Sequence, residues 1–175
     1  MLKQQGGKFK RLDQQKIKIR CNGQHVERKL LFMPSANQML VCRFFDETCN
    51  QGKLEVADEI FSPEHKYHDP SNPFIVPGPE GMKQLVSTYQ RAFTGAHWEI
   101  EEMIDAGDRV VTRWTGSGTH QADLMSISPT GKQMQVTGIW IHRLAGEKIV
   151  ESWNVWDTLG MLQQLGVVAH VPQSQ

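Results

Sequence analysis

The stretch that most constrains the fold runs from Lys148 to Gly166. Residues 149–156 are rich in β-branched and aromatic side chains, which favours a strand. Its two faces would carry Ile149, Glu151, Trp153 and Val155 on one side and Val150, Ser152, Asn154 and Trp156 on the other. A sheet with one solvated face would separate apolar from polar residues more cleanly. We therefore expect both faces to be covered, one by helices and the other by a pocket or a partner.

A short helix is predicted directly after this strand. Asp157 stands where an N-cap residue belongs, and Gly166 suits the C′ position. Between them, Leu159, Leu162 and Leu165 form an apolar stripe at helical spacing. The helix is therefore expected to pack against the sheet.

The rest of the chain places helices before strands. Helices are predicted at about 36–50, 54–60 and 79–93, the last with Pro79 at its first position. Residues 67–70 are predicted to be a short extended piece, and strands are predicted at 97–106, 109–121 and 133–144. Three helices, an antiparallel meander and a final helix predict one α+β domain with the helices on one sheet face.

Charge is divided unevenly along the chain. Residues 1–32 contain nine Lys and Arg against two acidic residues, whereas residues 33–175 contain ten against seventeen. The first segment also lacks periodicity, so we expect a disordered basic extension before a folded domain at 33–175. The extension is either a solvated tail or a weak polyanion binder. The acidic domain argues against nucleic acid as a partner, because phosphate binding needs clustered cations.

Cysteine usage and hydropathy bear on location. Cys21, Cys42 and Cys49 do not form a disulfide framework, and the last two would lie roughly 10 Å apart along one helix axis. This spacing is too long for a bridge and favours a reducing compartment. The longest apolar run near the start, 30–33, is too short for a signal peptide or a membrane span. We expect a cytoplasmic protein that does not contact a membrane.

Several polar residues are candidates for chemistry. Arg113, in the middle of the long strand, is either a solvated residue at the sheet rim or a fixed cation inside a cavity. His142 is either a hydrogen-bonded core histidine or an acid–base group. The pattern His65-x-x-His68-Asp69 lacks a third strong ligand at motif spacing, so no metal site is predicted. A His68–Asp69 pair at a pocket mouth, with the carboxylate orienting the imidazole, is the better interpretation.

All five tryptophans fall within the predicted sheet, at positions 98, 114, 140, 153 and 156. They could simply form the core. However, large aromatic residues on both faces of strands are more than one layer of helices covers. The remainder is therefore expected to line an apolar pocket or a homodimer face.

Short motifs follow one another in a fixed order between Asn37 and Gly166. They are Arg43-Phe44-Phe45, Asn50-Gln51-Gly52, Tyr67-His68-Asp69-Pro70, Gly107-Asp108-Arg109-Val110-Val111-x-Arg113-Trp114, Gly118-Thr119-His120, Pro129-Thr130-Gly131-Lys132, Gly138-Ile139-x-Ile141, Lys148-Ile149-Val150-Glu151 and Trp156-Asp157. In this order and spacing the chain resembles the SnoaL-like polyketide cyclases, or ester cyclases, of the nuclear-transport-factor-2-like superfamily. The likeness covers about 130 of the 175 residues, and the basic extension lies outside it.

The resemblance implies a cone-shaped, curved, antiparallel-rich sheet that encloses an apolar pocket, often in a homodimer formed through the outer sheet face. Cyclases of this family close rings by an intramolecular aldol reaction without a metal or cofactor. Their acid–base aspartate on the last strand corresponds to Asn154, and the partner histidine on the preceding strand corresponds to Trp140. In the related limonene epoxide hydrolases an arginine matches Arg113, but Thr115 and Asn154 replace the two aspartates.

These replacements bear on mechanism. A carboxamide does not exchange protons near neutral pH, and general acid–base help is worth about 10²–10⁴-fold. By the family's matched positions, the residues expected on the pocket side are Arg113, Thr115, Trp140, His142, Asn154 and Trp156. Those expected near the mouth are Tyr67, His68 and Asp69.

Two functions remain open. The first is a cofactor-free cyclase or isomerase that binds a small apolar, carbonyl-containing ligand. Arg113 and Asn154 would polarise the carbonyl, and His68 with Asp69, or else His142, would move the proton. The second is a carrier that binds the same kind of ligand without chemistry, with Asn154 as a hydrogen-bonding pocket group. The missing carboxylates favour the carrier, whereas the family favours the enzyme.

Overall fold

The computed structural model describes residues 19–21, 24–26 and 34–169. In the N-terminal part, β1 (Ile19–Cys21) and β2 (Gln24–Val26) pair as a short antiparallel ladder. The predicted disorder of residues 1–32 falls mostly outside the described ranges and stays a prediction. A separate compact unit begins at Pro34.

The first helix of this unit changes its geometry halfway. Ser35 caps α1 (Ala36–Arg43): its Oγ accepts from the Gln38 backbone N–H at 3.1 Å, and Gln38 Oε1 accepts from the Ser35 N–H at 3.0 Å. The chain then continues as a π-helical segment, Phe44–Asn50. The sequence predicts one continuous helix over 36–50, and the structure has the wider π-helical turn in its second half, which is common at functional sites.

The remaining elements follow the predicted order. They are α2 (Val56–Ile60), β3 (Phe61–His68), α3 (Pro79–Ala92), β4 (Phe93–Asp105), β5 (Arg109–His120), β6 (Gln133–Ala145), β7 (Lys148–Trp156) and α4 (Thr158–Leu165). Strands β3 to β7 form one curved, open sheet in the order β3-β7-β6-β5-β4, and the helices lie on one of its faces. The predicted α+β class with segregated helices is confirmed.

One strand pairing differs from a simple meander. Strands β4 to β7 are antiparallel neighbours, but β3 pairs in parallel with β7, with Tyr67 opposite Ser152. The sequence predicts only a short extended piece at 67–70 here. Strand β3 is the edge of the sheet, where a residue such as Pro63 is tolerated because one side needs no backbone donor.

Burial separates the two sheet faces. Register places Thr112, Trp140 and Asn154 side by side on the inner face, and all three are buried beneath the helices. On the outer face, Ile139 and Val155 are paired neighbours and are 49% and 67% exposed. In the single chain, therefore, the inner face of β7 is covered as expected, whereas its outer face is open.

The last helix has the predicted ends. Asp157 Oδ1 accepts from the Gly160 N–H at 2.7 Å, and Gly166 adopts a left-handed conformation with φ 80°. Its packed face is formed by Met161 and Leu165, whereas Leu159 is 56% exposed. The predicted stripe is therefore wrong at Leu159.

No helix in the described part of the chain is long and apolar enough to cross a membrane. The longest, α3, has 14 residues, against the roughly 20 that a bilayer requires. The cytoplasmic location stays a prediction from the sequence.

Candidate functional site

A cavity lies between the inner sheet face and the helices. The space between its walls is about 620 Å³, a figure that includes a part open to solvent. Eight of its lining residues are aromatic, and they include Trp98, Trp114, Trp140 and Trp156. The fifth tryptophan, Trp153, stacks on His68 instead.

Polar groups gather at one place in this wall, which we call the polar corner: Tyr67, Asp69, Asn72, Asn154 and Trp156. Asp69 follows β3 directly and is only 6% exposed. Its Oδ2 accepts from Tyr67 Oη at 2.7 Å, Asn72 Nδ2 at 3.1 Å, Asn154 Nδ2 at 3.2 Å and Trp156 Nε1 at 3.3 Å. A buried carboxylate is thus held at the centre of four side-chain donors.

The other carboxylate oxygen fixes Asp69 to its own loop. Asp69 Oδ1 accepts from the Ser71 backbone N–H at 2.7 Å, and the Asn72 N–H donates to the Asp69 carbonyl at 3.0 Å. Ser71 Oγ in turn forms a 2.7 Å hydrogen bond with Thr158 Oγ1, at the start of α4. This turn holds the carboxylate in one orientation.

The donors exceed what one oxygen readily accepts. A carboxylate has about four lone-pair sites over its two oxygens, yet four donors converge on Asp69 Oδ2. The Asn154 and Trp156 contacts, at 3.2 and 3.3 Å, are the longest. These two donors are therefore the ones most easily redirected to an oxygen of a bound molecule.

The two cavity tyrosines are neutral hydrogen-bonding groups. Burial, and then the negative charge of Asp69, raise the pKa of Tyr67 far above its ordinary value. Burial also raises the pKa of Tyr89 to about 12, with the hydrogen bond to Asn72 acting in the opposite direction. Both phenols stay protonated at neutral pH and can donate hydrogen bonds.

Two polar atoms of residues that line the cavity have no hydrogen-bond partner within the described ranges. They are the carbonyl oxygen Asn154 Oδ1, an acceptor, and the indole Trp114 Nε1, a donor. Buried polar groups in proteins are nearly always paired. The pair of unsatisfied atoms is what a site for a partly polar ligand would leave.

The cavity also contains a thiol, which is not activated. Burial, and then the negative charge of Asp46, raise the pKa of the Cys49 thiol. A thiol is a nucleophile only as a thiolate. Cys49 therefore contributes apolar surface to the cavity wall.

Arg113 and Thr115 do not face the cavity, so their predicted positions are wrong. Arg113 lies on the outer face, where it pairs with Glu102 at 3.5 Å, and Thr115 Oγ1 donates to Glu101 at 2.8 Å. Strand alternation explains this, because the register that puts Trp114 opposite Gly138 points the neighbours of Trp114 outward. The interpretation of Arg113 as a solvated residue describes it correctly.

His68 is likewise on the outer side, and the predicted His68–Asp69 pair is wrong. Its Nε2 lies 2.9 Å from Glu151 Oε1, and its ring stacks on Trp153. Adjacent strand residues point to opposite faces, so Tyr67 points into the cavity and His68 points away. His65 is buried on the inner side, so the two histidines do not converge. No group of three metal-binding side chains occurs within residues 34–169.

His142 lies beneath the cavity wall rather than in it. Its Nδ1 forms a 2.8 Å hydrogen bond with Ser152 Oγ, which also contacts His65 Nε2 at 2.8 Å, and its ring stacks on Trp140. Burial lowers the pKa of His142 to about 3, with a further decrease from His65. His142 is fully buried and is not part of the cavity lining, so it has no direct contact with the space that a ligand would fill.

Five predicted residues do line the cavity: Tyr67, Asp69, Trp140, Asn154 and Trp156. Three further lining residues, Asn72, Tyr89 and Trp114, are not among the candidates that the sequence provides. In the sequence Tyr89 belongs to the apolar stripe of its helix, and Asn72 lies in a proline-rich loop with no periodic signal. Trp114 could be found by pairing the strands, since it lies opposite Gly138, on the inner face that also carries Trp140.

The fold is an α+β domain whose curved sheet and helices surround a largely apolar cavity. A model of the SnoaL-like polyketide cyclase family matches residues 39–165, and the chain belongs to this family. The resemblance noted in the sequence is thereby confirmed. No curated protein matches the chain.

Solved structures agree with this assignment. A candidate polyketide cyclase from Acidithiobacillus ferrooxidans is 28% identical, with a TM-score of 0.70 over 79% of this chain and 100% of that one. IdmH of Streptomyces antibioticus, also a candidate polyketide cyclase, is 29% identical, with a TM-score of 0.62 over 73% and 96%. TsrD of Streptomyces laurentii, at 23% identity and a TM-score of 0.71 over 79% and 100%, shares the fold.

Proposed function

We propose that the chain is a cofactor-free enzyme of the cyclase or isomerase type that acts on a small apolar carbonyl compound. The observation that carries this proposal is the buried Asp69 carboxylate, 3.2 Å from Asn154 Nδ2. At Asn154, this chain lacks the acid–base aspartate of the family. A carboxylate is nevertheless present one hydrogen bond away, at the end of β3.

The proposed step is a proton transfer from carbon. The ligand carbonyl oxygen accepts hydrogen bonds from Asn154 Nδ2 and Trp156 Nε1, and Asp69 takes a proton from the neighbouring carbon. The C–H electron pair becomes the enolate, so negative charge moves from Asp69 to the ligand oxygen. Donors that stabilise the resting carboxylate then stabilise the enolate, as preorganised dipoles do in oxyanion holes.

The enolate intermediate can react in two ways. In cyclisation the enolate carbon attacks a second carbonyl of the same molecule, and Asp69 returns its proton to the new alkoxide. In isomerisation Asp69 returns the proton to a different carbon. Either route restores the carboxylate, and the largely apolar wall limits the water that would intercept the enolate.

A carrier without chemistry is the second candidate. The observation that favours it is the complete hydrogen bonding of Asp69, whose two carboxylate oxygens already accept from five donors and so present few free lone pairs to a ligand. On this proposal the unpaired Asn154 Oδ1 accepts a ligand hydroxyl. The ligand binds and leaves unchanged.

Deuterium exchange separates the two candidates. 2-Tetralone is a small apolar ketone, and its hydrogens next to the carbonyl exchange when the enolate forms. We expect the protein in D₂O to speed this exchange, Asp69→Asn to lower the protein-dependent rate by about 10²-fold or more, and the exposed control Asp108→Asn to leave it unchanged. Binding without added exchange would support the carrier, and equal rates in Asp69→Asn would remove Asp69 from the mechanism.

We also propose a homodimer formed through the outer sheet face. The exposed Ile139 and Val155 support it, because adjacent large apolar side chains on a sheet are rarely left in water. Neither nucleic acid nor a membrane is part of the proposed function.

A further inference from the structure

Trp114 has an unusual place in the cavity. It is only 4% exposed on the inner face of β5, next to two glycines, Gly138 on β6 and Gly116 on its own strand. A Cβ built on Gly138 would stand 2.6 Å from Trp114 Cε2, and one built on Gly116 would stand 2.9 Å from Trp114 Cζ3. Two separate parts of the indole therefore occupy the space that side chains would fill.

These contacts fix the direction of the ring. Since both Cε2 and Cζ3 lie against backbone, on two different strands, the indole plane runs along the sheet rather than standing out from it. Neither glycine has a positive φ, so the backbone conformation at both positions would allow a residue with a side chain. A glycine inside a strand often marks a close approach of another group, and here that group is the Trp114 ring.

We infer that Trp114 determines the shape of the accepted ligand, by forming a flat floor that favours planar rings over puckered ones. The inference rests on the proposed function only in that the cavity is the ligand site. One face of the indole is against the sheet, and helix α3 supplies Leu85, Val86 and Tyr89 to the cavity lining. A planar ring gains offset stacking on such a floor, whereas a saturated ring contacts it only at raised hydrogens.

The test uses two probes with one carbon skeleton. 2-Naphthol is planar, and decahydro-2-naphthol has the same ten carbons and hydroxyl in a puckered form. Isothermal titration of each probe gives the ratio of the two dissociation constants. We expect the protein to prefer 2-naphthol by about fivefold or more, the factor that one aromatic stacking contact supplies.

Two substitutions test the Trp114 floor, one by removing the ring and the other by displacing it. Trp114→Leu keeps an apolar side chain but removes the plane, so the ratio should fall to about one. Gly138→Ala keeps Trp114 but pushes its ring off the sheet into the cavity, so 2-naphthol should bind several-fold more weakly. Thr137→Ala, an exposed neighbour on the outer face, is the control and should keep the ratio of the unaltered protein.

The inference is overturned if the unaltered protein binds the two probes equally, if 2-naphthol does not bind, or if Trp114→Leu keeps the preference. Circular dichroism establishes whether each variant is folded. If Gly138→Ala does not fold, the ratio measured for Trp114→Leu is the test of the inference. Binding of these alcohols requires no proton transfer from carbon. If the unaltered protein shows no preference between the two alcohols but still speeds 2-tetralone exchange, the floor is rejected and the proposed function stands.

Discussion

Asn154 on the last strand and Asp69 at the end of β3 form a hydrogen-bonded pair in the cavity wall. Asn154 Nδ2 donates to Asp69 Oδ2 and to Tyr67 Oη, both at 3.2 Å. The amide thus supports the carboxylate rather than replacing it. The pocket keeps one acid and gains a donor, which an aspartate at position 154 would not provide while ionised.

Asn154→Asp should therefore destabilise the protein in a pH-dependent way. Two carboxylates at this distance would share one proton, which raises the pKa of the pair in the folded state above its unfolded value. Stability is then present at low pH and lost as pH rises through the raised pKa. We expect a cost of about 1–3 kcal/mol near pH 8 and a smaller one near pH 5, measured by urea unfolding. An equal cost at both pH values would contradict this, and Gln121→Glu, at an exposed position, is the control.

Side-chain direction is the part of the site that the sequence predicts least well. The predicted pocket-side positions of Arg113 and Thr115 are wrong because a register error of one residue turns a strand residue to the other face. Tyr67, Trp140, Asn154 and Trp156 are placed correctly because each lies in a part of its strand, 66–68, 138–143 or 151–156, where the register runs without a shift. Asp69 is recognisable as an acid, yet its true partners lie 85 to 87 residues away in the chain or within its own loop, and no local pattern reveals them.

Three strands share a second polar cluster, formed by His65 on β3, Ser152 on β7 and His142 on β6. Ser152 Oγ lies 2.8 Å from a ring nitrogen of each histidine. Burial lowers the pKa of His65 to about 4 and that of His142 to about 3. The cluster joins the parallel edge strand to the antiparallel sheet only while both imidazoles are neutral.

This cluster should make the fold sensitive to acid. The unfolded histidines bind protons below about pH 6.5, whereas the folded ones do so only near 4 and 3, so stability is full above pH 6.5 and falls as pH decreases. Each proton that the unfolded state binds in excess of the folded state lowers the free energy of unfolding by about 1.4 kcal/mol per unit decrease in pH. We expect His142→Gln to reduce the slope of unfolding free energy between pH 4 and 6 by about one proton. An unchanged slope would contradict this, and exposed His97→Gln should keep the original slope.

The order of helices and strands along the chain is predictable, because segments with helical periodicity and segments with strand periodicity are clearly separated after residue 34. The parallel pairing of β3 with β7 is not, since it joins segments more than 80 residues apart and involves a strand containing Pro63. The cavity follows from this pairing. Strand β3 brings Tyr67 and Asp69 to the inner face beside Asn154, where no meander alone would place them.

The proposed dimer can be tested by a substitution on the outer sheet face. Val155→Glu places a charge beside Ile139 on the outer sheet face and should convert the dimer to a monomer, because a buried unpaired charge costs several kcal/mol. Analytical ultracentrifugation measures the mass. Leu159→Glu is the matched control, since Leu159 is 56% exposed on α4, away from the sheet, and its replacement should leave the mass unchanged. A monomer before any substitution would reject the proposal.

The proposed function requires the polar corner to bind a carbonyl oxygen next to the Asp69 carboxylate. A crystal structure with 2-tetralone in the cavity tests this binding mode. We expect the ketone oxygen within about 3.2 Å of Asn154 Nδ2 or Trp156 Nε1, with the adjacent carbon turned toward Asp69. A ketone oxygen at the apolar end of the cavity, beside Met134 and Val136, would contradict it.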